Sequence, residues 1–111
     1  MTKSEPNLIV IMTTLPDPEQ ANNIAKILVT EKLAACVQVM PQMTSTYHWQ
    51  GEICHDPEHL VLIKALPSKY EALASRLRSL HPYETPEIIA LPAIAVDQSY
   101  LNWVTSLGSI E

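Results

Sequence analysis

The first clear pattern in the chain is an unbroken apolar run, Leu8-Ile9-Val10-Ile11-Met12, in which three residues are β-branched. It predicts a central strand buried on both faces. Pro16-Asp17-Pro18 ends that strand and opens a helix, with Asp17 suited to the N-cap, Pro18 to the first helical position and Gln20 to a capping-box partner. Ala21, Ile24, Ala25 and Leu28 then recur at the spacing of one buried helix face, which predicts a helix to about Lys32. Leu33 to Met40 reads as the second strand, and Pro41 marks a bulge, bend or unpaired edge position because it cannot donate to a ladder. β-Type residues resume from Thr44 to Trp49, Gln50-Gly51 is the turn, and Glu52 to His55 begins a returning strand. Asp56-Pro57 is expected to interrupt it before Leu60 to Leu66.

The second helix opens at Pro67, with Ser68 and Glu71 at capping-box spacing, and Tyr70, Leu73, Ala74, Leu77 and Leu80 share one face. His81-Pro82 ends it. A fourth strand is expected from Glu87 to Val96, with Pro92 demoting part of it to an edge. Tyr100, Leu101, Val104 and Leu107 predict a last helix capped near Asp97 or Ser99 and stopped by Gly108. Met1 to Asn7 is polar and expected to fray. The order β-α-β-β-α-β-α is the α+β, ferredoxin-like (split β-α-β) antiparallel plan with an added C-terminal helix and a long β2-β3 hairpin, in one domain over 1–111. That plan hosts many functions, so the site must be argued from its residues.

Each hairpin arm of roughly 15 residues reaches about 50 Å, against a radius of gyration near 13 Å for a domain of this size. The tip should therefore project, carrying Tyr47 and Trp49 on one face of its strand. Exposed aromatics on a two-stranded tip call for a cover, which predicts a homo-oligomer in which the tip packs on a neighbouring subunit.

Apolar residues at 47 % and charged residues at 17 % describe a globular chain. Two glycines, Gly51 and Gly108, exclude glycine-rich phosphate cradles. A net charge of −5 without a basic run argues against nucleic-acid and membrane partners. No apolar stretch is long enough for a signal core or membrane span, so a cytoplasmic location is expected. Cys36 and Cys54 make neither a disulfide framework nor the paired ligands of a structural zinc site.

The densest chemistry lies in the connector His81-Pro82-Tyr83-Glu84-Thr85-Pro86-Glu87, an imidazole, a phenol and two carboxylates within seven residues stiffened by two prolines. It reads either as a stiff helix exit with solvated polar groups or as a binding loop. His81 and Glu84 form the best local pair for a divalent ion, with water or a neighbouring subunit completing the site. They also have the types for acid–base work, but no Ser-His-Asp, Cys-His or paired-carboxylate signature accompanies them, so no enzymatic activity is expected. Cys36, in an apolar strand, reads as a small buried hydrophobe with a thiol ligand as the alternative. Cys54, His55 and His59 look like a cluster, yet His55 and His59 lie about 13 Å apart along an extended strand. His48 reads as a surface or interface residue.

Glu31-Lys32-Leu33-Ala34-Ala35-Cys36, Ser45-x-Tyr47-x-Trp49-x-Gly51, Lys64, His81-Pro82-Tyr83-Glu84-x-Pro86-Glu87-Ile88 and Tyr100-Leu101-x-Trp103 are spread in order over nearly the whole chain. Together these pieces resemble the CutA family of divalent-cation tolerance proteins. The resemblance implies a homotrimer whose sheets join through the hairpins, clefts between subunits, a likeness to PII-type signalling trimers, and a link to tolerance of copper and other divalent metals. The sites expected on this plan are the metal pair His81 and Glu84, and a ligand cleft or trimer interface with Tyr47, Trp49, Lys64, Tyr83, Glu87 and Trp103. Some copper-binding members carry a cysteine near the end of the first strand and two histidines before the connector proline; here those positions hold Thr13, Leu80 and His81. The expected function is a divalent-cation response binding copper or another divalent metal. A PII-like small-molecule sensor and a non-catalytic interaction scaffold are the alternatives.

Overall fold

Residues 5–109 are described by a computed structural model. Its elements are β1 (Ile9–Leu15), α1 (Pro18–Thr30), β2 (Cys36–Trp49), β3 (Glu52–Ala65), a 3-10 turn (Pro67–Lys69), α2 (Tyr70–Leu80), β4 (Ile89–Pro92) and α3 (Gln98–Ser109). The four strands form one antiparallel sheet in the order β2-β3-β1-β4. Of the start expected to fray, 1–4 lie outside the described residues, and 5–7 carry no helix or strand.

Strand alternation places Ile9, Ile11, Thr13 and Leu15 of β1 on one face, opposite Ala65, Ile63, Val61 and His59 of β3. All eight are buried. Ala21, Ile24 and Leu28 of α1 and Leu73 and Leu77 of α2 complete the same core. Each such Leu or Ile contributes roughly 1.5–3 kcal/mol on burial. The other face is different. Val10 and Met12 are only partly buried, and Ile89 and Leu91 of β4 are each 46 % exposed. The apolar run of β1 is thus not a strand covered on both sides, because in the single chain both α1 and α2 contribute to the one core.

α1 starts as expected: Asp17 has extended backbone, its carboxylate accepts from the Glu19 N–H, and Pro18 follows. It ends two residues before the expected Lys32, in a Schellman arrangement. Lys32 takes the left-handed conformation (φ 61°), its N–H donates to the Val29 carbonyl, and the Leu33 N–H donates to the Leu28 carbonyl. The capping box at Ser68 and Glu71 does not form. A 3-10 turn precedes α2, and no side-chain cap bonds either of their N-termini. β4 is four residues long rather than ten, ending at Pro92, since a proline without an N–H suits only the end of an edge strand. α3 is capped by Asp97, whose carboxylate accepts from the Ser99 hydroxyl and the Tyr100 N–H, and it continues through Gly108 to Ser109.

β1 pairs with β3 only over His59–Ala65, so the outer parts of β2 and β3 continue past the core as a two-stranded ribbon. The ribbon lifts the radius of gyration to 15.3 Å, above the roughly 13 Å of a compact domain of this length. Its turn has positive φ at both Gln50 (49°) and Gly51 (81°), the type I′ geometry that matches strand twist. The ladder slips between Val39 and Gln42, where Met40 and Pro41 oppose the single residue Leu60. This is the bulge that Pro41 marks. The buried ring of His59 offers its Nδ1–H to the Met40 carbonyl at 3.0 Å, at the point where the ladder slips. Asp56-Pro57 does not break β3: Pro57 sits opposite Thr44 in an unbroken strand.

Candidate functional site

Past the end of β1, the connector leaving α2 meets the inner part of the ribbon. His81, 8 % exposed, caps α2 in an extended conformation. Its Nε2 lies 2.9 Å from the Thr14 carbonyl oxygen and 3.2 Å from Thr13 Oγ1. A carbonyl only accepts, so Nε2 carries the proton. Its Nδ1 lies 3.1 Å from the Tyr83 backbone nitrogen, whose N–H donates, so Nδ1 carries the lone pair. Burial holds the ring below the ordinary histidine range, opposed by the Thr14 bond and the charge of Glu58.

Tyr83 stands beside this ring, with centroids 5.0 Å apart, and its hydroxyl donates to Glu58 Oε2 at 2.6 Å. Glu58 is 9 % exposed. Burial, then the bond to Glu58, pushes the Tyr83 phenol well above its ordinary range. On the ribbon, Tyr47 donates to Asp56, and that bond leads burial in pushing its phenol up to about 12. The Tyr83 phenol also feels Asp56 and Tyr47, so the two tyrosine–carboxylate pairs form one cluster. Alternation explains the grouping. Asp56 and Glu58 are two residues apart on β3, and Tyr47, opposite Cys54, shares their face.

The cluster contains two expected site residues in direct bonds, Tyr47 and Tyr83, and two that periodicity did not single out, Asp56 and Glu58. Reading β3 as broken at Asp56-Pro57 concealed their alternation with Cys54. The metal pairing of His81 with an open nitrogen and Glu84 is not what the single chain shows. Both His81 nitrogens are engaged, whereas Glu84 and Glu87 are exposed. Trp49, 55 % exposed, sits at the ribbon tip, and Trp103, 44 % exposed, lies on α3 beside Tyr100. Cys36 and Lys64 face each other at the opposite end of the sheet, where the Lys64 ammonium donates to Gln38. Cys36 is half-buried and about 13 Å along the strands from the level of Thr14. His55 and His59 lie in one unbroken strand and are engaged separately, as their extended spacing requires: His55 bonds the Thr46 hydroxyl and His59 the Met40 carbonyl.

Among the described residues, no three His, Cys, Asp or Glu side chains are gathered to hold a metal ion. A histidine–thiolate site suited to copper does not fit these residues, because the connector histidine has no free lone pair and neither cysteine is bonded to it. Oxygen donors fit better. Asp56 and Glu58 offer carboxylates of the kind that hard divalent ions take, short of the six or more donors such ions use.

The chain is thus a ferredoxin-like antiparallel sheet with a projecting hairpin and a carboxylate–tyrosine cluster at its root. The family model "CutA1 divalent ion tolerance protein" matches residues 9–107. The chain is 46 % identical over 95 residues to the divalent-cation tolerance protein CutA of Thermus thermophilus, covering 86 % of this chain and 92 % of that one. The crystal structure of CutA1 from Shewanella sp. SIB1 superposes with a TM-score of 0.90 at 39 % identity, covering 94 % and 97 % of the two chains. The periplasmic divalent cation tolerance protein CutA of Archaeoglobus fulgidus gives a TM-score of 0.87 at 31 % identity, covering 90 % and 97 %. This chain belongs to the CutA1 divalent ion tolerance family. Among the described residues no helix is long and apolar enough to cross a membrane.

Proposed function

We propose that the protein acts in the cellular response to divalent cations as a non-enzymatic homotrimer, holding an oxygen-preferring ion in clefts between subunits. The observation that carries this reading is the pairing of Asp56 and Glu58 on one face of β3, at the root of a ribbon that leaves its own core. One chain supplies too few donors, and exposed Glu84 and Glu87 on the connector are available to a neighbouring subunit's ribbon. The exposed Trp49, Ile53, Ile89, Leu91, Ile94 and Trp103 supply apolar surface for burial between subunits, with Lys64 at the end of the same sheet. Two free cysteines on the hairpin accord with action in the reducing cytoplasm.

Copper is the less favoured ion, since soft thiolate and open imidazole donors are what would select it. Calorimetric titration with manganese, zinc and copper tests the assignment. Asp56→Asn and Glu58→Gln should each weaken manganese or zinc binding by at least about tenfold, or 1.4 kcal/mol. Unchanged affinity in both variants would remove the ribbon carboxylates from the site.

A further inference from the structure

We infer that His81 is a positioning residue, a neutral staple that seats Tyr83 on Glu58 by bonding the end of β1 through one nitrogen and the Tyr83 backbone through the other. It rests on the reading above only in treating Glu58 as part of the cleft.

The two bonds define one another. Thr14 presents a carbonyl, so Nε2 must donate; Tyr83 presents an N–H, so Nδ1 must accept. Only the neutral Nε2–H tautomer satisfies both. A metal ion at Nδ1 would displace the Tyr83 N–H, and one at Nε2 would require that nitrogen to lose its proton and its bond to Thr14. Either event leaves a backbone group without its partner, the carbonyl of buried Thr14 or the N–H of half-buried Tyr83.

The staple spans Pro82, whose fixed φ makes the His81–Tyr83 link short and stiff. Nδ1 accepting from the N–H two residues on copies an Asx-turn, in which an Asn or Asp oxygen makes the same bond. The Thr14 bond ties that turn to the last residues of β1, and Thr13 Oγ1 lies 3.2 Å from the same nitrogen. Tyr83 is therefore delivered to Glu58 from a turn anchored on the central strand. The chemistry separates the halves of the staple: Asn in place of His81 retains an acceptor for the Tyr83 N–H, while Gln retains a donor toward Thr14.

Nitrogen-15 NMR of the whole protein at neutral pH, with and without one equivalent of zinc as a diamagnetic probe, tests this. We expect one protonated and one bare ring nitrogen on His81, assigned to Nε2 and Nδ1, and no change on adding zinc. In His81→Asn the Tyr83 amide should keep its protection from hydrogen exchange. In His81→Gln it should exchange about tenfold faster or more, the loss of one hydrogen bond. A proton on Nδ1 of the neutral ring would overturn the staple. So would zinc-induced shifts of the ring nitrogens together with loss of zinc binding in His81→Asn, which would make His81 a ligand. Equal Tyr83 exchange in the two variants would also overturn it. If zinc fails to bind while the tautomer and exchange pattern hold, the staple stands and the cation reading falls.

Discussion

The Tyr83 hydroxyl donates a 2.6 Å hydrogen bond to Glu58, a carboxylate that is only 9 % exposed. The pair ties the connector after α2 to the root of the ribbon, two segments 25 residues apart in sequence. Removing the donor leaves a buried carboxylate short of a partner. Tyr83→Phe should therefore destabilise the protein by about 2 kcal/mol, read from denaturant midpoints at pH 7. No change would mean that water replaces the phenol without cost.

Acid should loosen the same region. The folded pKa of His81 lies below the ordinary 6.5, chiefly through burial. Below 6.5 the unfolded chain therefore binds more protons than the folded one, and stability falls as pH drops. The His81 contribution is complete above that value and is lost as pH falls through it toward the folded pKa. Denaturant midpoints between pH 7.5 and 5 should decline in the native protein, and His81→Asn should flatten that slope. An equal slope in both would place the titration elsewhere.

At the bulge, the Nδ1–H of His59 bonds the Met40 carbonyl at 3.0 Å. His59→Leu should cost about 1–2 kcal/mol by leaving the carbonyl unpaired. His59→Asn, which keeps a donor near the same position, should cost less. Thermal unfolding of the two variants ranks them, and a reversed order would contradict the role given to the ring.

The turn at the tip offers a gain instead of a loss. Gln50 carries a positive φ of 49°, a conformation that asparagine adopts more readily. Gln50→Asn should raise stability by a few tenths of a kcal/mol, on the order of turn-propensity effects. A drop would show that the Gln50 side chain makes a contact on which the tip depends.

Much of this architecture is legible in residue patterns because the forces involved are local. The stripe Ala21, Ile24, Leu28, the Asp17-Pro18 start, the Gln50-Gly51 turn and the bulge at Pro41 all follow from backbone rules over a few residues. Pro57 lacks an N–H and so predicts a break, yet the strand passes through it on the projecting ribbon, opposite Thr44. Ser68 and Glu71 have the right spacing for a cap, but a 3-10 turn begins one residue earlier and removes the geometry. The site was half legible. The connector's composition pointed to Tyr83 and His81, but its partners Thr13, Thr14 and Glu58 come from other strands, 25 to 68 residues away. Short-range spacing made His81 and Glu84 a ligand pair, and long-range packing turned the imidazole inward.

The proposed cation site takes oxygen donors and is completed by neighbouring copies of the chain. Its most direct test is calorimetric titration of the metal-free protein with manganese, zinc and copper, with solution mass recorded on the same sample. The expected mass is about three times the 12.4 kDa of one chain, with binding near one ion per subunit that survives in His81→Asn and weakens by at least about tenfold in Glu58→Gln. A monomer would contradict it. So would a trimer with no ion bound more tightly than about millimolar, worth only about 4 kcal/mol, a result that would favour a small-molecule sensor or an interaction scaffold.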